Sequence, residues 1–466
     1  MSSEPPEAVA ADSSSAGSSA GSSAGGSAAG APAPGGSASA GHIFALIRSR
    51  PGWTRQQLLA ATGVSRTTLF ERLDQLFRAN LVYEAGAASS DGGRPAQLLR
   101  FDDRDRVVLI FDLGQLRGRI AVADLAGRTL RMETLRLDTS QPPDQLIPQL
   151  LDQGDALLRA DSAARLVGVG MGIPSPVDPA TGRLLEGTTM RHWEDYDLAG
   201  HLRDRWGVPV LIENDARALA LGEAAATADD GILLAVKYSH GIGAGIVVNG
   251  NVIDGANGAA GDIGHIRITD DGPRCTCGRS GCLAAWASGR AILRDLGLHD
   301  LDDVVRAALD GDPVVLDALK AAARRVGRTV ASIVATVNPA RLVLGGSLGR
   351  LDVVAGVIEE QVRADTVARA LQDLRVTPTR VADESSTIGL SRQLVRGAYS
   401  AEAVDALLAG AAESTVPAVS AVPNPPAVPN PPAVPDQPGK RIKSGAPAKP
   451  GKPTRLAVTR APSPPR

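Results

Sequence analysis

The chain has 466 residues, 43% of them hydrophobic, which is enough for two to four domains with buried cores. Its formal net charge of −2 announces no nucleic-acid partner by itself, and no apolar stretch reaches the length of a membrane span. The N-terminus lacks the basic-then-apolar order of a signal peptide. All three cysteines fall between positions 275 and 282, too few and too close for a disulfide framework. A metal site in a reducing compartment is therefore expected, and with it a cytoplasmic protein.

Residues 1 to 40 are built almost entirely from Ser, Ala, Gly, Pro and Glu, without one aromatic residue. Such a segment buries too little apolar surface to offset its ordering entropy, so it is expected to be disordered. From residue 42 the pattern changes. HIFALIRSR places apolar residues at 43, 44, 46 and 47 on one helical face, and Pro51 and Gly52 end it. Thr54 and Gln57 have capping-box spacing before RQQLLAAT. Gly63 supplies a left-handed end, and Ser65 can cap RTTLFERLDQLFR. Two short helices joined by a Gly-containing turn read as a helix-turn-helix.

On the third helix, Leu69, Leu73 and Leu76 recur at helical spacing and should face a core. Ser65, Arg66, Thr67 and Phe70 are then left toward base edges in a major groove. LVYEAG and AQLLRF, separated by Gly92 and Gly93, read as a two-stranded wing with Arg94 at its tip, placed for a minor groove or phosphate. Residues 41–101 are thus predicted to be a winged helix-turn-helix that binds double-stranded operator DNA. A plain helical protein–protein module is the competing reading.

From Arg106 strands alternate with helices. VVLIFDLG is followed by a hairpin partner, RGRIAVADLAG. Then come RLVGVGMGIPSPVD, VPVLIENDARALALGEA, ILLAVKYSHGIGAGIVVNGNVIDG, GAAGDIGHIRITDDGPRCTCGRSGCL and NPARLVLGGSLG. Strands ending beside Gly turns leave backbone N–H groups free to approach an anion. In this order the segments resemble the ROK family of repressors, open reading frames and sugar kinases. That resemblance implies an α/β, actin-like (hexokinase-type) two-lobed ATPase fold over 106–408, preceded by the α+β winged domain, and points to the repressor branch.

His265, Cys275, Cys277 and Cys282 offer one imidazole and three thiolates within eighteen residues, a donor set suited to tetrahedral zinc with no open position. In the family these four are the zinc ligands, so a structural Zn2+ is expected to pin a loop walling the sugar pocket. The Asn-Asp pair whose aspartate serves as base in the family's kinases is present as Asn214 and Asp215. Asp215 is accordingly a vestigial base candidate, with helix capping as its alternative role. The resemblance also places Asp262 and His265 at the sugar, and Ser175 nearby.

The phosphate-handling positions depart from the family. Asp-x-Gly-Gly-Thr reads DLGQLRG here, with Gln115 and Leu116 for the Gly-Thr pair. SHGIG has His240 where a threonine is usual, and Ala284 stands where the family has a sugar-binding glutamate. Positioning dominates phosphoryl transfer, so losing these contacts argues against kinase catalysis.

After about Ala411 the chain becomes Pro- and Ala-rich, with AVPNPP at 421–426 repeated at 427–432 and only basic charges after Asp436. It reads as a disordered basic tail that could add affinity for phosphates. The whole is expected to be a regulator, most simply a repressor, of carbohydrate-related genes. It should be a homodimer or homotetramer in a bacterial nucleoid, binding a sugar or sugar-derivative effector and no membrane. Two rivals remain: an ATP-dependent sugar kinase of the family, and a ligand-independent DNA-binding dimer.

Overall fold

The computed structural model describes residues 39–87, 96–160, 164–185, 190–227, 231–381 and 384–413. Arg94, most of residues 1–40 and the tail after Glu413 lie outside them. None of the described helices is long and apolar enough to cross a membrane.

The N-terminal helices are α1 (Ala40–Ser49), α2 (Arg55–Thr62) and α3 (Arg66–Arg78). Each begins at a residue whose side chain satisfies backbone N–H groups left open by the first turn. Ser39 accepts from His42, Thr54 and Gln57 form a reciprocal capping box, and Ser65 accepts from Thr68. Gly63 closes α2 at φ 67°, a left-handed conformation that glycine adopts without a Cβ penalty. Strands β1 (Val82–Ala87) and β2 (Gln97–Phe101) pair antiparallel as the wing hairpin.

Two five-stranded sheets follow. The first contains β3 (Arg106–Leu113), β4 (Arg117–Asp124), β5 (Thr129–Arg136), β6 (Arg165–Ile173) and β7 (Val210–Asn214), in the order β5-β4-β3-β6-β7. Helices α4 (Pro143–Arg159) and α5 (Leu198–Trp206) belong to this lobe. After α6 (Asp215–Ala225), the second sheet begins with β8 (Leu233–Tyr238), β9 (Ile242–Val248) and β10 (Asn251–Val252). Helices α7 (Leu283–Ala287), α8 (Gly289–Leu296), α9 (Leu301–Leu309) and α10 (Pro313–Val337) precede β11 (Arg341–Gly345). Then come α11 (Gly346–Gly349), α12 (Asp352–Asp365), α13 (Ala368–Leu371) and β12 (Arg375–Pro378). The second order is β10-β9-β8-β11-β12. In each sheet an antiparallel meander is extended by two parallel strands, so the same topology occurs twice, as the two-lobed reading requires.

The chain ends in α14 (Ser385–Ala398) and α15 (Ala401–Glu413). Helices α6 and α14 cross closely, and glycine makes this possible. A Cβ on Gly222 would lie 1.8 Å from the Ser385 carbonyl oxygen, and one on Gly389 2.3 Å from that of Ala218. Buried Glu223 of α6 also accepts from Ser385 Oγ at 3.0 Å, at the N-terminal end of α14 where the helix dipole favours a negative charge.

Helix α15 turns back onto α1 and packs with the N-terminal module. Gly41 N–H donates to Asp405 Oδ1 at 2.7 Å, and a Cβ on Gly41 would collide with the Ala401 carbonyl. Phe44, Phe101 and Tyr399 form an aromatic cluster, with Phe44–Phe101 centroids 5.2 Å apart and Phe101–Tyr399 4.9 Å. Two arginines lock it. Arg48 donates to the Tyr399 carbonyl at 2.7 Å. Arg106 reaches the Tyr399 hydroxyl at 2.9 Å and the Asn80 carbonyl at 2.6 Å. One hydrophobic core accordingly runs from Ile43 and Leu58 through Ile110 to Leu390 and Val404. The sequence reading started the first helix at 42 and the C-terminal tail at 411. Docking of α1 against α15 extends the one back to Ala40 and the other through Glu413.

Candidate functional site

The two lobes face each other across a cleft of about 650 Å³. Its floor is set by α6. Asn214 caps that helix, accepting from the Ala216 and Arg217 amides at 3.0 and 3.2 Å, while its Nδ2 donates to the Ser175 carbonyl at 3.1 Å. Asn214, not Asp215, is thus the cap, and the carboxyl of Asp215 is left to face the cleft. Arg217, 1% exposed, braces the wall. It donates to Glu213 at 2.6 Å and to the carbonyls of Gly258 and Val177 at 2.9 and 3.2 Å.

Asp215 meets Lys237 of β8 at 3.0 Å. Burial pushes the Asp215 carboxyl up, with the charge of Lys237 as the largest force against it. Burial lowers the lysine, but the charges of Asp215 and Asp112 outweigh this and keep it an ammonium. On balance the Asp215 carboxyl stays raised while it remains paired with the Lys237 ammonium. The second retained acid, Asp112, is treated similarly: Arg119, its cross-strand partner between β3 and β4, approaches to 3.5 Å. Neither cation was singled out in the sequence. Lys237 was visible as a lone charge in the apolar run LLAVKY, and Arg119 needed the hairpin register.

The two altered phosphate loops converge. The Gln115 side chain points at the second loop, its Nε2 3.7 Å from where a Cβ on Gly241 would sit. Leu116 and His240 line the same cleft, and His240 Nε2 is buried without a hydrogen-bond partner among the described residues. Asp262 begins the short 3-10 turn Ile263–His265 and lines the cleft, its carboxyl raised chiefly by burial. Ala284 and Ser175 line it as well.

His265 belongs both to the cleft wall and to a cluster with Cys275, Cys277 and Cys282, whose donor atoms all lie within 4.8 Å of one another. Cys275 Sγ is 3.5 Å from His265 Nδ1, and Cys277 Sγ is 3.7 Å from Cys282 Sγ. Tetrahedral zinc with Zn–S near 2.3 Å and Zn–N near 2.0–2.1 Å has edges of about 3.8 and 3.5 Å. The donor set therefore fits a metal ion closely. Burial lowers the pKa of His265, which favours the neutral imidazole a metal needs. The loop is otherwise held by few apolar contacts, since its cluster consists of the three cysteines and Ala285.

In the N-terminal module, Ser65, Arg66, Thr67 and Phe70 are all exposed along α3, and Leu69, Leu73 and Leu76 are buried beneath them. Phe70 is 54% exposed, unusual for an aromatic residue on a small module, and the Arg55 guanidinium lies 5.8 Å from its ring. Arg55 also pairs with Glu84 of β1 at 2.7 Å, joining α2 to the wing.

The model described as the ROK family matches residues 108–396. The xylose repressor of Bacillus subtilis (strain 168) is 27% identical over 348 residues, covering 72% of this chain and 90% of the relative. NagC of Escherichia coli (strain K12), a DNA-binding transcriptional dual regulator, is 28% identical over 394 residues, covering 76% and 94%. A crystal structure of a ROK family transcriptional regulator, homologous to the E. coli MLC protein, aligns with a TM-score of 0.65 at 25% identity. That alignment covers 80% of this chain and 99% of that one. A ROK family glucokinase from Streptomyces griseus, in complex with glucose and AMPPNP, aligns with a TM-score of 0.53 at 25% identity over 62% of this chain and 99% of its own. With residues 108–396, most of the two lobes, matched by one family model, the chain belongs to the ROK family.

Proposed function

We propose that this protein is a sugar-responsive transcriptional regulator, most simply a repressor, that reads operator DNA with α3 and transfers no phosphate. The observation that carries the reading is the joining of an exposed Arg66–Thr67–Phe70 face to a cleft whose retained acids are each engaged by a cation. The solved regulator aligns over 80% of the chain and the glucokinase over 62%, which supports the same choice.

The physical route between the two sites is short. A ligand beside Asn214 and Asp215 acts on the first turn of α6. Helix α6 is locked to α14 through Gly222, Gly389 and Glu223, and α14 ends at Tyr399 in the aromatic cluster with α1. A ligand that favours one arrangement of the lobes thereby moves the frame on which α3 is mounted. In a dimer whose half-sites lie about one helical turn apart, a small reorientation removes most specific affinity. The four-ligand cluster holds a structural zinc that fixes the cleft wall carrying His265. It has no open position, so the metal contributes order and no reactivity.

In vitro selection of duplex DNA with the full chain, with Arg66→Ala as control, tests the reading. The expected result is an inverted repeat that the variant fails to enrich, with about 1–3 kcal/mol lost on the selected site. ATP-dependent phosphorylation of a sugar, abolished by Asp215→Asn, would instead establish a kinase.

A further inference from the structure

Charges in the cleft largely cancel in pairs: Arg117 with Asp302, Arg119 with Asp112, Lys237 with Asp215. Arg290 is an exception. It is the second residue of α8, half-buried in the wall shared with His240, His265 and Ala284, and its guanidinium has no hydrogen-bond or ion-pair partner among the described residues. Burial depresses its pKa, and the one anionic group that acts on it is Cys275. The effect on its neighbours is also visible: burial lowers His240, and the charge of Arg290 is the next largest influence in the same direction.

A guanidinium taken partly out of water without a partner is costly. Its five donors form a planar fork that matches a carboxylate or phosphate in two parallel hydrogen bonds. The acid that the family motif places nearby, at position 284, is an alanine here. A Cys3His zinc cluster carries one net negative charge, so Cys275 attracts Arg290 through space yet satisfies none of its N–H groups. On the other side of the balance, Asp262 is a cleft carboxyl for which no side-chain hydrogen bond is formed among the described residues. Carboxylates accept hydroxyl donors and repel anions, so Asp262 and Arg290 give the site opposite preferences at two positions.

We infer that the effector is an anionic sugar, with a carboxylate or phosphate held by Arg290 and hydroxyl groups directed to Asp262 and the Asn214–Asp215 pair. This rests on the reading of the cleft as the effector site. It narrows that reading from sugars in general to uronic or aldonic acids and sugar phosphates.

The test uses the zinc-loaded full chain and a panel in which glucose, xylose and N-acetylglucosamine are each compared with their acid and phosphate derivatives, by thermal shift and calorimetry. At least one anionic member should bind more tightly than its neutral parent and raise the melting temperature, and whether it is an acid or a phosphate identifies the group. Arg290→Ala should weaken that binding on the order of 10- to 100-fold while leaving zinc content and operator binding in the absence of ligand unchanged. Neutral sugars binding best in both proteins would overturn the anionic assignment and leave the effector site standing. Loss of zinc in Arg290→Ala, with the order of ligand preference intact, would assign Arg290 to the metal cluster and overturn the inference. A flat response to every sugar, charged or neutral, would remove the effector reading itself.

Discussion

The four-donor cluster and the cleft beside it share His265 and a stretch of backbone, but they arrange their polar groups in opposite ways. In the cluster His265, Cys275, Cys277 and Cys282 bring their donor atoms within 4.8 Å of one another, close enough to share one metal ion. In the cleft the acidic residues are each met by a cation, Asp215 by Lys237 and Asp112 by Arg119. The contrast is between donors free to converge on one ion and acids already paired with cations of the chain itself. A metal ion shared by all four donors would tie the wall together, so each ligand is expected to matter. A cation beside a buried acid offsets its charge and leaves the backbone in place.

Three perturbations would break or sharpen this comparison. The largest effect is expected at the cluster. Cys282→Ser should reduce bound zinc from about one per chain to near none, since binding to such sites contributes roughly 10 kcal/mol or more in isolated zinc peptides. Limited proteolysis should then cut between residues 266 and 282 while the sheets persist. Retention of metal, or an uncut loop, would show that apolar packing rather than zinc holds the wall.

The next effect belongs to the cleft. Lys237→Met leaves the Asp215 carboxylate buried without its partner and should cost on the order of 3 kcal/mol in denaturant unfolding. Adding Asp215→Asn should recover most of it, because replacing both members of a buried pair is nearly neutral. Equal losses in the single and double variants would mean that Lys237 is held by packing, and that its pairing with Asp215 adds nothing. The smallest effect lies in the DNA-reading module, away from both regions. Ser65→Ala removes one cap bond and should destabilise α3 by about 1 kcal/mol. Hydrogen exchange at the Thr68 amide would report it, and unchanged protection there would leave the cap without an energetic role.

Much of the candidate site was legible because its signals are local. The four cluster residues lie within one loop, the Asn214–Asp215 pair sits at one strand-to-helix junction, and the caps at Thr54 and Ser65 depend on residues three positions away. The pairings that decide the chemistry are not local in this sense. Lys237 reaches Asp215 because β8 of one sheet comes against the start of α6, and no pattern within either segment contains that meeting. Arg290 could be read as a charge on an amphipathic helix. Only its place in the cleft wall shows that it lacks a partner.

By itself the sequence determined the three N-terminal helices, the wing strands, the alternation of strands and helices, and the set of metal donors. Hydrophobic period, capping residues and short-range spacing set these within a few residues of chain. The tertiary structure decided where the DNA-reading module begins and what it rests on. Gly41 and Asp405, hydrogen-bonded at 2.7 Å, are 364 residues apart, and the closeness of α1 to α15 is set by the fold of the intervening body. A low-complexity approach such as SASAG carries no apolar period to mark a helix start. The start at Ala40 is set by the surface against which it packs.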